Sequence, residues 1–219
     1  MPITTLFFDL DGTLYPNNNG LWNAIAERMN IYMSEKLHFL PEDIPAIREK
    51  YFHQYGTTLK GLQINHKVDS LEFLAFVHDV SLEEFIAPDP ILKSLLANLP
   101  HTKWIFTNSD QRHASRVLAT LGVANNFEGI VDVTRLNYLN KPDPKAFESA
   151  LKIAGNPIPE SCIFFEDIPK NLKPAKTIGF RTVLVGSHSP SPEIDMCIPN
   201  IHHLQDALDY FIKTEQDNE

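Results

Sequence analysis

The stretch FFDLDGTLY, residues 7–15, decides how this chain is interpreted. Its apolar run ends in Asp9 and Asp11, and Gly12 follows as a turn residue. Side chains two positions apart on a strand point the same way, so both carboxylates are expected to face one pocket at a sheet edge. Close carboxylates repel unless a cation offsets their charge, and Mg²⁺ prefers such oxygen ligands. The alternative is that Asp-Gly only forms a turn.

Apolar runs rich in β-branched and aromatic residues predict further buried strands. The strong ones lie at 3–8, 103–107, 162–165 and 181–185, with a weaker one at 129–133. Between the later runs, apolar residues at helical spacing predict helices at 92–99, 114–121 and 144–154. This alternation, from about residue 88 onward, indicates a parallel sheet covered by helices, with the carboxyl ends of the strands at one edge.

Particular residues mark the ends of two of these helices. Gly122 and Gly155 follow the apolar periodicity directly and predict C-terminal ends. Asp143 and Pro144 predict the start of the last helix, as capping residue and first helical residue.

Residues 20–86 interrupt the alternation of strands and helices. Helical patterns occur there around 22–33, 42–55 and 69–78, without a strong strand. A helical insertion between the first and second strands is the simplest interpretation, with APDP at 87–90 as its return hinge. The predicted organisation is therefore a core of residues 1–16 and 88–219 and a helical domain of residues 17–87. The last residues, 215–219, are expected to fray.

Composition and charge limit the partners and the location. Of the 219 residues 43% are hydrophobic, and the formal net charge is −9. Such a surface repels nucleic-acid polymers, but it does not exclude a small phosphate ester as a ligand in a locally positive pocket. The sequence contains no apolar window of about 18 residues, so no membrane span is predicted. The N-terminus lacks signal-peptide features. A cytoplasmic location without membrane association is therefore expected. Cys162 and Cys197 show no zinc-binding spacing, and no disulfide is expected.

Two further segments carry groups suited to phosphate. Thr107 and Asn108 follow a predicted strand, where a hydroxyl and backbone N–H groups suit a phosphate oxygen. The alternative for them is a helix N-cap. Lys141 precedes Pro142 on a stiff segment and would supply a point charge for a phosphoryl group. The alternative for Lys141 is an ordinary surface loop.

A second strand also ends in acids, Glu166 and Asp167. Their expected place is the same sheet edge as Asp9, which is what a Mg²⁺ site across neighbouring strands requires. The alternative is that Asp167 caps the next helix. The four segments together supply a nucleophile, a cation site, hydroxyl or amide donors and a lysine, and this combination favours a site over four separate accidents.

The segments DLDGT, IFTNS, KPDP and FFEDIPKN resemble the four ordered motifs of haloacid dehalogenase-like phosphohydrolases. The resemblance spans essentially the whole chain and implies an α/β fold, in which a Rossmann-like parallel sheet has helices on both faces. The insertion after the first strand, residues 17–87, resembles the helical cap of the family. The segments at 13–22 and 55–73 also resemble the pyrimidine 5′-nucleotidase branch.

The resemblance implies a mechanism for the matching positions. Asp9 attacks phosphorus and forms an aspartyl-phosphate. Asp11 protonates the leaving alcohol and then activates the water that hydrolyses the intermediate. Mg²⁺ is the implied cofactor. Its implied ligands are the Asp9 carboxylate, the Asp11 backbone carbonyl and Asp167, with Glu166 added directly or through water.

The resemblance also implies phosphate-binding residues. Thr107 and the Asn108 amide hold phosphoryl oxygens, and Lys141 neutralises charge on the nucleophile and the transferring group. Two positions depart from the family pattern. Gly12 stands where many members of the nucleotidase branch have Asn, and little effect is expected from this. Asn171 stands where many members have a second Asp, and it retains the ability to hold a metal-bound water or to order a loop.

Substrate choice is assigned to the insertion. Tyr55, Leu62, His66 and Lys67 are the candidates to contact a base or ribose, and the alternative for each is structural packing. The leading prediction is a Mg²⁺-dependent phosphatase for UMP or CMP. Alternatives are phosphoglycolate, a sugar phosphate, another mononucleotide, a sugar-phosphate mutase, or a catalytically silent binding module. A dehalogenase is disfavoured because it has no need of Asp11, and no G-x-G-x-x-G supports a dinucleotide-binding oxidoreductase.

Overall fold

The computed structural model describes residues 1–186 and 191–216. Its centre is a parallel sheet in which the strands follow the order β3-β2-β1-β4-β5-β6. The strands are β1 (Thr5–Phe8), β2 (Thr102–Phe106), β3 (Gly129–Val131), β4 (Cys162–Glu166), β5 (Arg181–Val185) and β6 (Met196–Ile198). The five predicted strands are confirmed with shifts of one or two residues at their ends. Strand β6 at the sheet edge was not predicted.

Helices occupy most of the chain between the strands. Those between β1 and β2 are α1 (Leu21–Glu35), α2 (Ile44–Tyr55), α3 (Thr58–His66), α4 (Ser70–Val77) and α5 (Pro90–Asn98). Those that follow are α6 (Gln111–Leu121), α7 (Pro144–Ile153), α8 (Pro169–Thr177) and α9 (Leu204–Gln216). In the part of the chain described, no helix is both long and apolar enough to cross a membrane. Of the predicted frayed segment, residues 215 and 216 continue α9, and residues 217–219 lie outside the described residues.

The helix ends follow the predicted capping chemistry. Gly122 adopts a left-handed conformation, with φ of 76°, directly after α6. The Asp143 side chain accepts a hydrogen bond from Lys145 N, and Pro144 is the first residue of α7. Helix α6 begins earlier than its apolar pattern predicted because the Asp110 side chain accepts from His113 N and caps it.

Both faces of the sheet are buried, as a parallel sheet requires. Neighbouring residues of one strand point to opposite faces, so Phe7 and Phe8 belong to two different hydrophobic clusters. The cluster around Phe7 receives α7 and α8 through Phe147 and Leu172. The cluster around Phe8 receives α5, α6 and α9, and it continues into the helices of the insertion. This arrangement confirms the α/β, Rossmann-like fold.

Helices α1–α4 lie between the first two strands, where the sequence predicted a helical insertion. Leu21, Met33 and Phe73 are almost fully buried within it. The segment after α4 contacts α6, where Arg116 donates hydrogen bonds to His78 O at 2.9 Å and Val80 O at 2.6 Å, and α5 then leads to β2. The insertion is thus tied to the sheet side of the molecule by polar contacts as well as by packing.

Candidate active site

The predicted site residues meet at the carboxyl ends of the central strands. Phe8 pairs with Ile105 on one side and with Phe165 on the other. This register places Asp9, which follows β1, beside Glu166, the last residue of β4. The first and fourth acidic segments therefore share one edge of the sheet, as the sequence predicted.

Lys141 lies at the centre of this edge and is not part of a surface loop. Its side chain is 1% exposed, and Nζ donates to Asp9 Oδ1 at 2.6 Å and to Glu166 Oε2 at 2.7 Å. The Asn108 side chain fixes the Lys141 backbone from both sides, because Oδ1 accepts from Lys141 N at 2.8 Å and Nδ2 donates to Lys141 O at 3.1 Å. Asn108 thereby joins the second and third motifs, a task that its position in the sequence did not reveal.

The acidic side chains carry more negative charge than Lys141 offsets. Burial, followed by the neighbouring Glu166, raises the pKa of Asp9 to about 7 although Lys141 acts to lower it. Burial likewise raises the pKa of Glu166 to about 7, and burial with the nearby Asp9 raises the pKa of Asp167 to about 6. Each carboxyl therefore resists ionisation until further positive charge arrives.

This cluster fits a divalent cation. Asp9, Glu166 and Asp167 each offer a carboxylate oxygen, and these oxygens lie within 4.8 Å of one another. Asp167 Oδ1 is buried and has no hydrogen-bond partner among the described residues, whereas its Oδ2 accepts from Asn17 Nδ2 at 2.6 Å. The bond to Oδ2 holds the carboxylate in place and leaves Oδ1 without a partner. Such a buried, unpaired carboxylate oxygen is the kind of ligand that a hard cation such as Mg²⁺ uses.

The alternative role of Asp167 as a helix cap is wrong. Ile168 occupies the N-cap position of α8, and no side chain caps that helix. Glu166 next to it is fully buried, and its oxygens accept from Ile168 N, Lys141 Nζ and Asn171 Nδ2 at 2.7–3.0 Å. Asn171 therefore fixes the orientation of the Glu166 side chain, whereas the metal-bound water and the ordered loop remain predictions for it.

Asp11 lies apart from this cluster of carboxylates. Its Oδ1 accepts from Tyr15 Oη at 2.5 Å and from His113 Nε2 at 2.9 Å, and its Oδ2 accepts from Ser109 Oγ at 2.7 Å. Burial raises the pKa of Asp11, but the His113 ring and these hydrogen bonds outweigh it, and the pKa lies below its ordinary value. The metal contact implied for the Asp11 backbone carbonyl stays a prediction.

Thr107 is almost fully buried at the end of β2. Its Oγ1 accepts from Ser109 N at 3.0 Å, which folds the motif into a tight turn. The helix cap that the sequence offered as the alternative for this segment is Asp110, three residues later. The Thr107 hydroxyl retains its proton for another acceptor.

The four predicted substrate contacts are distributed unevenly. Tyr55 lies against the third motif, where its backbone oxygen accepts from Asn140 Nδ2 at 2.9 Å. Leu62 is fully buried in the hydrophobic cluster that the insertion shares with the sheet, which is a packing position and not a binding surface. His66 and Lys67 are exposed at the end of α3, and His66 Nε2 lies 2.8 Å from Tyr51 Oη within the insertion.

Loop residues of the insertion approach the core closely at Gly56. A Cβ atom added to Gly56 would lie 2.5 Å from Lys141 O, and the residue has a φ of +89°. Nearby, Lys170 Nζ donates to Phe52 O at 2.8 Å, and Lys60 Nζ donates to Tyr138 O at 3.2 Å. The α2–α3 connection therefore contacts the segment that holds Lys141, and α2 contacts α8, the helix that follows Asp167.

Comparison with known proteins agrees with this geometry. Residues 3–179 match the family model of haloacid dehalogenase-like hydrolases. Phosphate metabolism protein 8 of Saccharomyces cerevisiae is 31% identical over 192 residues, which are 81% of this chain but 60% of the yeast protein. Beta-phosphoglucomutase of Bacillus subtilis is 25% identical over 209 residues, 88% of each chain.

A solved structure extends the likeness in fold. The HAD phosphatase from Thermococcus onnurineus superposes with a TM-score of 0.65 at 18% identity. The superposition covers 94% of this chain and 98% of the other.

Proposed function

This chain belongs to the haloacid dehalogenase-like hydrolase family, and we propose that within it the chain is a Mg²⁺-dependent phosphomonoester hydrolase. The observation that carries the proposal is the contact of Lys141 Nζ with Asp9 Oδ1 at 2.6 Å beside the cluster of Asp9, Glu166 and Asp167. A buried carboxylate between a lysine and a cation site is arranged to attack a phosphoryl group whose charge both can offset.

In the proposed reaction, an Asp9 carboxylate oxygen bonds to phosphorus while the bond from phosphorus to the ester oxygen breaks. Asp11, in its protonated form, gives its proton to the departing ester oxygen, which leaves as the alcohol. Asp11 then takes a proton from water, which attacks the phosphorus of the aspartyl-phosphate and releases inorganic phosphate and free Asp9. Mg²⁺ held by Asp9 and Asp167 would supply positive charge to the nucleophile and the phosphoryl oxygens.

The remaining residues orient the phosphoryl group. Lys141 holds the Asp9 carboxylate and neutralises developing charge. The Thr107 hydroxyl is proposed to donate a hydrogen bond to a phosphoryl oxygen, and the backbone N–H of Asn108 to donate a second one. Glu166 accepts hydrogen bonds from three protein donors. We therefore propose that its main role is to orient Lys141, and that direct contact with the metal is secondary.

We further propose that residues 17–87 form a cap and that the substrates are pyrimidine nucleoside 5′-monophosphates such as UMP and CMP. Two segments that resemble the pyrimidine 5′-nucleotidase branch support this substrate. The first, residues 13–22, begins two positions after Asp11, and the second, residues 55–73, includes Tyr55 and Gly56. The contact of Tyr55 O with Asn140 brings the second segment to the site. The name of the yeast relative, phosphate metabolism protein 8, agrees with a phosphate substrate.

A phosphomutase for sugar phosphates is the second candidate. The observation that favours it is the 25% identity to beta-phosphoglucomutase over 88% of the chain. Such an enzyme would return the phosphoryl group from Asp9 to a second hydroxyl of the sugar in place of water. Isomerisation of a hexose phosphate without release of inorganic phosphate would identify it.

The test is release of inorganic phosphate from a panel of monoesters in Mg²⁺ and in EDTA. The panel contains UMP, CMP, AMP, GMP, phosphoglycolate and hexose phosphates, and the Asp9→Asn variant is the control. Mg²⁺-dependent release that prefers UMP and CMP and is lost in Asp9→Asn is the expected result. Broad or sugar-selective release would overturn the substrate proposal alone, and full activity of Asp9→Asn would overturn the nucleophile.

A further inference from the structure

A histidine outside the four motifs contacts the proposed acid. His113 lies on α6, is fully buried, and its Nε2 donates to Asp11 Oδ1 at 2.9 Å. The other ring nitrogen, Nδ1, is also buried and has no hydrogen-bond partner among the described residues. The polar side-chain contact of this ring is therefore the one to Asp11.

A second histidine fixes the ring of His113 from the insertion. His78 follows α4 directly, and its ring stacks on His113 with centroids 4.1 Å apart and an interplanar angle of 24°. His78 Nδ1 lies 2.5 Å from Asp110 Oδ2, and Asp110 Oδ1 accepts from His113 N at 3.0 Å. Arg116 holds the backbone oxygen of His78 at 2.9 Å. Both rings are thus fixed in orientation by groups other than Asp11.

Packing alone does not explain a histidine at this place. A buried polar atom without a partner costs free energy, and Nδ1 of His113 is such an atom. An aromatic hydrocarbon ring would fill the same space without that cost. The bond from Nε2 to Asp11 is what the histidine adds.

We infer that His113 is a positioning residue for Asp11, and that His78 of the insertion supports it by stacking. The inference rests on the proposed function, because it concerns the proton that Asp11 gives to the leaving group. Held by His113, Tyr15 and Ser109, the Asp11 carboxyl has one orientation relative to the departing oxygen. Loss of the donor at His113 removes one of these three hydrogen bonds, so that Tyr15 and Ser109 alone hold the carboxyl and its orientation shifts relative to that oxygen.

Leaving-group chemistry separates this role from a structural one. The alcohol of UMP, the 5′-hydroxyl of uridine, is a poor leaving group and needs the proton of Asp11 when its bond to phosphorus breaks. 4-Nitrophenolate departs as an anion and does not need it. Misplacement of Asp11 should therefore slow release of uridine and spare release of 4-nitrophenol.

The experiment measures single-turnover release of uridine from UMP and of 4-nitrophenol from 4-nitrophenyl phosphate, or uses another alkyl ester if the panel prefers one. Three variants are compared. His113→Phe keeps the ring and loses the donor, His113→Gln places an amide donor near the position of Nε2, and His113→Asn places it near Nδ1. His203→Ala, at an exposed histidine bound to Asp206, is the matched control. Thermal unfolding is recorded for each protein.

In His113→Phe and His113→Asn, uridine release should fall roughly 10- to 100-fold more than 4-nitrophenol release, part of the roughly 10²- to 10⁴-fold that a positioned acid contributes. His113→Gln should recover part of the wild-type ratio of uridine release to 4-nitrophenol release, and His203→Ala should keep that ratio unchanged. Equal losses for both esters in variants that unfold cooperatively would overturn the inference and leave the proposed function standing. An inactive wild-type protein would overturn the proposed function and this inference with it.

Discussion

Lys141 and Asp9 are 132 residues apart in the sequence, yet Lys141 Nζ donates to Asp9 Oδ1 at 2.6 Å. Their side chains are 1% and 9% exposed, so water screens this pair little. Lys141 Nζ also lies 5.2 Å from the centroid of the Phe106 ring and 5.1 Å from that of Phe164. A low-dielectric setting of this kind strengthens the effect of the lysine on any charge that develops at Asp9.

Replacement of Lys141 by Met should therefore lower kcat by about 10²- to 10³-fold, the usual loss when one preorganised donor is removed. The methionine retains much of the side-chain volume but no charge. Lys145→Met, on the exposed surface at the start of α7, is the matched control and should keep wild-type activity. A Lys141→Met variant with normal steady-state turnover of its best substrate would contradict the role assigned to Lys141.

Asn17 is expected to set metal affinity through Asp167. Its Nδ2 donates to Asp167 Oδ2 at 2.6 Å, and Oδ1 is buried without a hydrogen-bond partner among the described residues. Asn17→Ala should weaken Mg²⁺ binding about 10- to 100-fold, as loss of an outer hydrogen bond to a metal ligand typically does. The measurement is a Mg²⁺ titration of activity. Asn18→Ala, its exposed neighbour, is the control, and equal Mg²⁺ affinities of the two variants would exclude this role.

The sequence revealed the parts of the site that depend on strand ends. Asp9, Thr107 and Glu166 each follow or end an uninterrupted apolar run, and parallel pairing brings such ends to one edge. The burial of Lys141 could not be inferred, because its own segment is polar and rich in proline. Its depth depends on Asn108, which binds it across 33 positions.

His113 and the short elements show a second limit. One histidine among nine carries no local signal, and its bond to Asp11 spans 102 positions. Helix α3 lacks a strong apolar stripe, although Thr57, which accepts from Lys60 N, was a readable start signal. Strand β6 has three residues at the sheet edge, too few for a periodic pattern. Long-range partners and short edges are thus what a single sequence leaves undetermined.

The carboxyl cluster predicts how pH changes the stabilisation by Mg²⁺. The folded-state pKa values of Asp9, Glu166 and Asp167 are raised to about 7, 7 and 6. Because the folded protein binds these protons more tightly than the unfolded chain, their contribution to stability is present at low pH and is lost as pH rises through the folded pKa values. Mg²⁺ binds the ionised forms and offsets that loss.

The increase in Tm caused by Mg²⁺ should consequently be larger at about pH 8 than at about pH 5. Thermal unfolding in Mg²⁺ and in EDTA across this range measures it. Asp167→Asn removes one ionisable ligand and should reduce the increase at the higher pH. An increase in Tm that does not depend on pH would contradict the cluster as the binding site.

The approach of Gly56 to Lys141 yields the sharpest test of contact between the insertion and the site. Gly56 and Gly122 both have left-handed φ values, +89° and +76°, so alanine strains the backbone at either place by about 1–2 kcal/mol. Only at Gly56 does the added Cβ meet atoms, at 2.5 Å from Lys141 O and 2.6 Å from Asn140 Nδ2, whereas at Gly122 nothing lies within 4 Å.

Gly56→Ala should therefore displace the α2–α3 connection from the third motif and break the bond from Asn140 to Tyr55 O. The two variants should show similar losses in free energy of unfolding from strain, with a further loss in Gly56→Ala from the clash. Activity should separate them more clearly, because only Gly56→Ala disturbs the backbone that carries Lys141. We expect kcat/KM to fall by about 10-fold or more in Gly56→Ala, since small misplacements of catalytic groups are costly, and to stay near the wild-type value in Gly122→Ala. Equal kcat/KM values in the two variants would show that catalysis does not need this contact.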